Sequence, residues 1–178
     1  PLSEEPGLGA LTLPGFLREV TARHGPAEAI AQPRPDGEVE RWSYAQLWHK
    51  SMAVARALVA CGVGKGDRVG MLVTNRAEFV SAAFGIALAG GVVAAFSTFA
   101  TAHEFDQMMA AAGCSLVLIE PQVLKRNFVD ILCELEPGIE RAQPGRIDST
   151  RYPYLRHTVA LDGDAQRGAV LPMPQFPS

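Results

Sequence analysis

The sequence has little of what would tie it to a specialised environment. Cysteine occurs three times, at Cys61, Cys114 and Cys133, with long irregular gaps. That spacing carries neither a disulfide framework nor a zinc site, and it fits buried free thiols in a reducing cytoplasm. Aromatic residues make up only 7% of the chain, and 16 basic side chains against 19 acidic ones leave a formal net charge of -3. The basic residues are scattered, so there is no electrostatic footprint for nucleic acid or for an anionic membrane. No basic run followed by an apolar one opens the sequence, which therefore reads without a signal peptide. Local catalytic signatures are missing too: there is no GxSxG, no HExxH and no CxxC. His24, His49, His103 and His157 are isolated, and His24 and His103 fall at expected helix ends, where capping or exposure is the ordinary role. No spacing alone brings carboxylates together, so no catalytic, cofactor-binding or metal-binding residue is assigned.

What is present is a rhythm. A hydrophobic content of 48% with 20% charge excludes a disordered chain. Between residues 67 and 119, apolar runs at Val69 to Val73, Val92 to Phe96 and Leu116 to Ile119 alternate with helical patterns opened by Asn75 and Thr101. Short strands separated by helices are the sequence form of consecutive βαβ units, which bury a parallel sheet beneath crossover helices. Residues 80–100 carry no charge and are long enough to cross a bilayer, but Ala, Gly and Ser dominate and Gly90-Gly91 interrupts them. A buried helix followed by a buried strand fits them better than a membrane span.

Around that centre, residues 1–11 read as a loose leader. Pro14, Phe16, Leu17 and Val20, with Gly25 as a stop, predict a helix over Leu13 to His24. A hairpin is expected around Pro33-Arg34-Pro35-Asp36-Gly37. Ser43 and Gln46 have capping-box spacing ahead of a long helix ending at Gly62, and Trp42, Tyr44 and Trp48 read as packing residues at that junction. Asn75 with Glu78, and Thr101 with Glu104, are likewise spaced as caps, while Gly90 and Gly113 sit where a left-handed residue closes a helix. The loop Gly62-Val63-Gly64-Lys65-Gly66-Asp67 imitates a phosphate loop. It leaves a helix and enters a strand, the reverse of the order such a loop needs, so it predicts a plain turn. Pro121 predicts a helix to about Leu135, the 139–156 segment a polar surface excursion, and His157 to Leu161 a fourth strand; residues 162–178 predict no element. The expected division is thus a leader at 1–11, an α/β unit at 12–161 and an irregular tail at 162–178.

The ordered series Trp42-Ser43-Tyr44-Ala45-Gln46-Leu47, Cys61-Gly62-Val63-Gly64-Lys65-Gly66-Asp67-Arg68-Val69, Thr74-Asn75-Arg76-Ala77-Glu78-Phe79 and Leu88-Ala89-Gly90-Gly91-Val92-Val93 resembles the N-terminal part of the adenylate-forming enzymes. These are the acyl-CoA synthetases, the adenylation domains of peptide synthetases and the luciferases. Glu104, Leu116 to Pro121 and Tyr154 to Val159 extend the likeness. The resemblance implies an α/β fold with a wound, mostly parallel sheet, flanking helices and an N-terminal β-hairpin, part of a larger N-terminal domain. For a full-length protein it implies a cytoplasmic ligase of fatty or similar carboxylic acids, using ATP, Mg and coenzyme A to make an acyl-adenylate and then an acyl-CoA. The family's phosphate loop, magnesium-holding acid, ribose-holding Asp and C-terminal Lys have no counterpart in these residues, so the chain is expected to be an inactive N-terminal fragment, with no cofactor of its own. Where many members have Asn-Pro-Arg after the second strand, Ser97-Thr98-Phe99 stands here, and no coenzyme A contact is carried over. Two rival readings are a non-catalytic α/β interaction module and an unrelated small nucleotide-binding α/β protein; the latter would bind ATP or NAD stoichiometrically, and no such binding is expected. Sheet and helix faces left uncovered would favour homo-oligomers.

Overall fold

The computed structural model describes residues 12–162 and 166–172, so the leader expected at 1–11 lies outside the described residues. Helix α1 (Leu13–His24) starts on Thr12, whose hydroxyl accepts the Gly15 N–H at 3.1 Å. Strands β1 (Glu28–Pro33) and β2 (Val39–Ser43) pair antiparallel around Gly37, which sits at φ +88. Ser43 and Gln46 form the full reciprocal box that opens α2 (Tyr44–Ala60): Gln46 N donates to Ser43 Oγ at 3.2 Å and Ser43 N to Gln46 Oε1 at 2.8 Å. Trp42 is buried with Leu17, Leu47 and Ala77 in a satellite core, so the aromatic junction serves packing.

The main sheet follows. Strand β3 (Arg68–Leu72), helix α3 (Ala77–Leu88), strand β4 (Val92–Ala95), helix α4 (Ala102–Ala112) and strand β5 (Leu116–Ile119) stand within a residue or two of the positions the pattern predicts. Beyond them come β6 (Gln122–Val123), β7 (Arg126–Asn127), α5 (Phe128–Leu135), α6 (Gly138–Arg141), β8 (His157–Ala160) and β9 (Val170–Pro172). The sheet order is β4-β3-β5-β8-β9, and every pairing is parallel. Side chains alternate between its faces. Val69, Met71, Leu116 and Leu118 meet Ala82 and Ile86 of α3 and Leu58 of α2, whereas Val117 and Ile119 meet Phe105 and Met109 of α4 and Phe128 and Leu132 of α5. Each fully buried Leu, Ile or Phe in these layers contributes about 1.5–3 kcal/mol. Helix α3 lies between the sheet and the satellite core, as its many apolar sides predict.

Four expectations are corrected. Pro121 opens no helix: β6 and β7 form a tight hairpin turned at Leu124 (φ 54), and α5 starts at Phe128. Asn127 Oδ1 accepts from Val129 N at 3.0 Å and Asp130 N at 3.1 Å, and this cap outweighs the proline signal. The 139–156 segment is no loose excursion. Ile139, Ile147, Tyr152 and Leu155 are buried in the main core, and Arg151 grips Asp106 of α4 through two hydrogen bonds of 2.7 and 2.6 Å. Where residues 162–178 predict no element, β9 adds a fifth strand with Ala169 and Val170 buried; Arg167, paired with Asp130 and Glu140, pins it. Finally, Asn75 does not cap α3, whose N-cap position is Arg76 without a capping side chain of its own.

Candidate functional site

In an open parallel sheet, ligands bind outside the carboxyl ends of the strands, where neighbouring connections leave for opposite faces. Here that point lies between β3 and β5. The chain leaves β3 for α3 on one face, while β5 leads to α5 on the other. The residues that emerge there are polar and meet one another. Thr74 donates its backbone N–H and its hydroxyl to Glu120 Oε2 at 2.8 and 2.7 Å. Arg76 donates from Nε to Glu78 Oε2 at 2.8 Å and from Nη1 to Asp162 Oδ2 at 2.7 Å, with Glu120 Oε1 at 3.6 Å. Burial works against the Arg76 charge, but the hydrogen bonds to Asp162 and Glu78 outweigh it and hold the guanidinium above its ordinary pKa. It is a fixed cation.

The β1–β2 hairpin leans over this crest. A cleft of about 340 Å³ lies between Arg34 and Glu40 of the hairpin and Thr74, Arg76 and Glu120 of the crest. A second, of about 380 Å³, lies between Ile30 and Gln32 on one side and Asn75, Ala77, Phe79 and Val80 on the other. A third, of about 510 Å³, runs along α4 beneath Phe99 and is lined by Ala100, Glu104, Met108 and Ala111.

None of these places is built for a polyphosphate. Arg76 is already matched by three carboxylates, so the crest carries an excess of negative charge. In the Gly62 to Asp67 loop the amides are spent internally: Gly64 N donates to Asp67 Oδ2 at 2.8 Å and Gly66 N to Gly90 O at 3.0 Å. This is the plain turn that the order of elements predicts, shaped by Asp67 and Gly90. At Ser97-Thr98-Phe99 the nearby cation, Arg126, donates to the Phe99 and Ala100 carbonyls at 2.6 and 2.7 Å and is turned inward. At the crest, the Gly62 to Asp67 loop and the Ser97 to Phe99 turn, the residues present therefore do not fit ATP phosphates or the phosphates of coenzyme A.

The thiols and histidines add no chemistry. Burial raises the pKa of Cys61 and Cys133 and pushes Cys114 up to about 11, so all three stay protonated, and all are free. His24, His49 and His103 are exposed. Burial lowers the pKa of His157, whose Nδ1 has no partner among the described residues. No group of three or more His, Cys, Asp and Glu able to hold a metal occurs among the described residues, and none of their helices is long and apolar enough to cross a membrane.

In the sequence, Thr74, Arg76, Glu78 and Glu120 stand out only within the resembling segments, Glu78 also as the spaced partner of Asn75, and Asp162 carries no signal of its own. One shared signal was available. Thr74, Glu120 and Asp162 each stand just after an apolar run that ends in a buried residue, Val73, Ile119 and Leu161, which is where a parallel sheet places its crest.

Comparisons with known proteins bear on the family and the fold. A family model described as AMP-binding enzyme matches residues 17–166. The acyl-CoA ligase SID4 of Ajellomyces capsulatus is 30% identical over 160 residues, covering 89% of this chain and 25% of that protein. Among solved structures, the anthranilate CoA ligase AuaEII in complex with anthranoyl-AMP superposes with a TM-score of 0.68 at 19% identity, over 90% of this chain and 26% of that one. The N-terminal domain of FACL13 from Mycobacterium tuberculosis gives a TM-score of 0.65 at 20% identity, over 93% and 34%. At such identities the structural likeness speaks for the fold. The chain spans about a quarter of the length of the curated relatives it matches.

Proposed function

Because the chain belongs to the AMP-binding enzyme family, we propose that it forms the N-terminal α/β portion of an ATP-dependent carboxylate–CoA ligase and serves there as scaffold. The whole enzyme would join a carboxylic acid to AMP with release of pyrophosphate and then pass the acyl group to the thiol of coenzyme A, with release of AMP. ATP, Mg, the acid and coenzyme A belong to that whole. The observation that carries the scaffold assignment is the crest, where the Arg76 guanidinium is matched by three carboxylates. Three free, protonated thiols support a reducing compartment, the cytoplasm in this reading.

The test has two arms. Incubated with ATP, Mg, coenzyme A and short- and medium-chain acids, the 178-residue chain is expected to release no AMP; acid-dependent AMP would overturn the scaffold assignment. Replacing the matched quarter of SID4 with this chain is expected to give a ligase that forms acyl-CoA. A folded but inactive chimera would overturn the ligase assignment. We further propose self-association through exposed Phe99, Leu124 and Val92, which are 78%, 82% and 49% exposed. A monodisperse monomer in light scattering would refute it.

A further inference from the structure

The β1–β2 hairpin is fixed at its base and nearly free at its tip. Ile30 and Trp42 pack in the satellite core with Leu17, Ala77 and Val80. Beyond them the polar contacts are internal: Arg34 donates to Glu40 at 2.7 Å, and Asp36 Oδ1 accepts the Glu38 N–H at 3.0 Å. Among the described residues, apart from the Ser43–Gln46 box at its base, a single side-chain hydrogen bond ties the hairpin to the body of the fold. Gln32 Oε1 accepts the Ala77 N–H at 2.6 Å.

This bond does two things. It satisfies an N-terminal donor of α3, which has no capping side chain of its own. It also stands at the partition between two clefts, of about 380 and 340 Å³, both lined by Gln32, Asn75 and Arg76. One cleft is apolar towards Ile30, Phe79 and Val80, and the other is charged towards Arg34, Glu40 and Glu120.

We infer that Gln32 is a strap whose release frees the hairpin tip together with the first turn of α3 and joins the two clefts into one trough along the crest. With a cleft on each side, the freed amide and the freed Ala77 N–H both reach water. No buried polar group is orphaned, and the opening stays local. The trough so formed has an apolar end and a charged end. It does not depend on the ligase reading.

Hydrogen exchange followed by mass spectrometry on the whole chain tests this with Gln32→Ala, Gln32→Asn and Gln32→Glu. In Gln32→Ala, exchange is expected to quicken about tenfold, the usual worth of one lost cap, at residues 33–38 and 77–80 while α4 is unchanged. Gln32→Asn withdraws the amide by one methylene and should show the same local pattern. Gln32→Glu keeps an acceptor and sets a negative charge at a helix N-terminus, so its exchange should equal or fall below that of the parent. Unchanged exchange in Gln32→Ala, acceleration that extends into α4, or Gln32→Glu as fast as Gln32→Ala would each overturn the strap. Should Gln32→Ala fail to fold, the contrast between Gln32→Asn and Gln32→Glu decides.

Discussion

Helices α3 and α4 cover opposite faces of one sheet and are started in opposite ways. In α4 the start is contained within four residues: Glu104 N donates to Thr101 Oγ1 at 3.2 Å and Thr101 N to Glu104 Oε2 at 2.7 Å. In α3 the cap comes from Gln32, 45 positions upstream on another element. A self-contained cap makes a helix that can form early and on its own terms. A borrowed cap makes the helix and its lender depend on each other, and that dependence sits beside the crest, where a ligand would arrive.

The largest effect is expected on the α3 face. Gly85 lets α3 approach α2 so closely that a Cβ there would lie 2.7 Å from Val54 Cβ and Cγ1 and 3.0 Å from Ser51 O. Gly85→Ala should therefore destabilise the fold by about 1–3 kcal/mol, although helix propensity alone favours alanine by about 1 kcal/mol. A thermal melt reads the sign, and Val54→Ala in the same chain should recover part of the loss. A stabilised Gly85→Ala would mean that the two faces are packed alike.

On the α4 face, the Arg151 guanidinium first and the Tyr152 hydroxyl second hold Asp106 down at about 2. A carboxylate whose pKa is lower folded than unfolded stabilises above its unfolded pKa, near 3.9, and loses that contribution as pH falls towards the folded value. Stability should thus decline between about pH 4 and pH 2, and in Asp106→Asn the decline over this window should flatten. Parallel pH curves for the two proteins would place the clamp elsewhere.

Smaller effects sharpen the contrast. Thr101→Ala should cost about 1 kcal/mol and quicken exchange in α4 alone, unlike the shared response expected of the borrowed cap. Thr158 lies in β8 on the α4 side of the sheet, fully buried, with no partner for its hydroxyl among the described residues. Thr158→Val should raise the melting temperature slightly, by up to about 1 kcal/mol of stability, because it removes an unsatisfied donor at constant shape.

The same contrast explains what could be read from the sequence. Helices α1, α2 and α4 and strand β5 are bounded by signals a few residues apart, such as Ser43 with Gln46 and Thr101 with Glu104, and they stand where expected. The β6–β7 hairpin was hidden because its turn uses Leu124 in a left-handed conformation that leucine seldom adopts. The 139–156 segment was hidden because its anchors, Ile139, Ile147, Tyr152 and Leu155, follow neither a helical nor a strand period. At the crest, Arg76 finds Asp162 from 86 positions away, and Thr74 finds Glu120 from 46. Those meetings are products of parallel pairing, and no local spacing announces them.

The short strand β9 has a practical reach. The family match ends at residue 166, yet Val170–Pro172 still pairs with Thr158, Val159 and Ala160, and Ala169 N donates to Ile139 O at 2.9 Å. Anyone trimming the gene at the border the family suggests would strip the outermost ribbon from the sheet and lay β8 bare along its length. Such a clipped protein would be a candidate for inclusion bodies, whereas one cut after Pro172 would keep β8 paired and leave only the three-residue β9 at that edge.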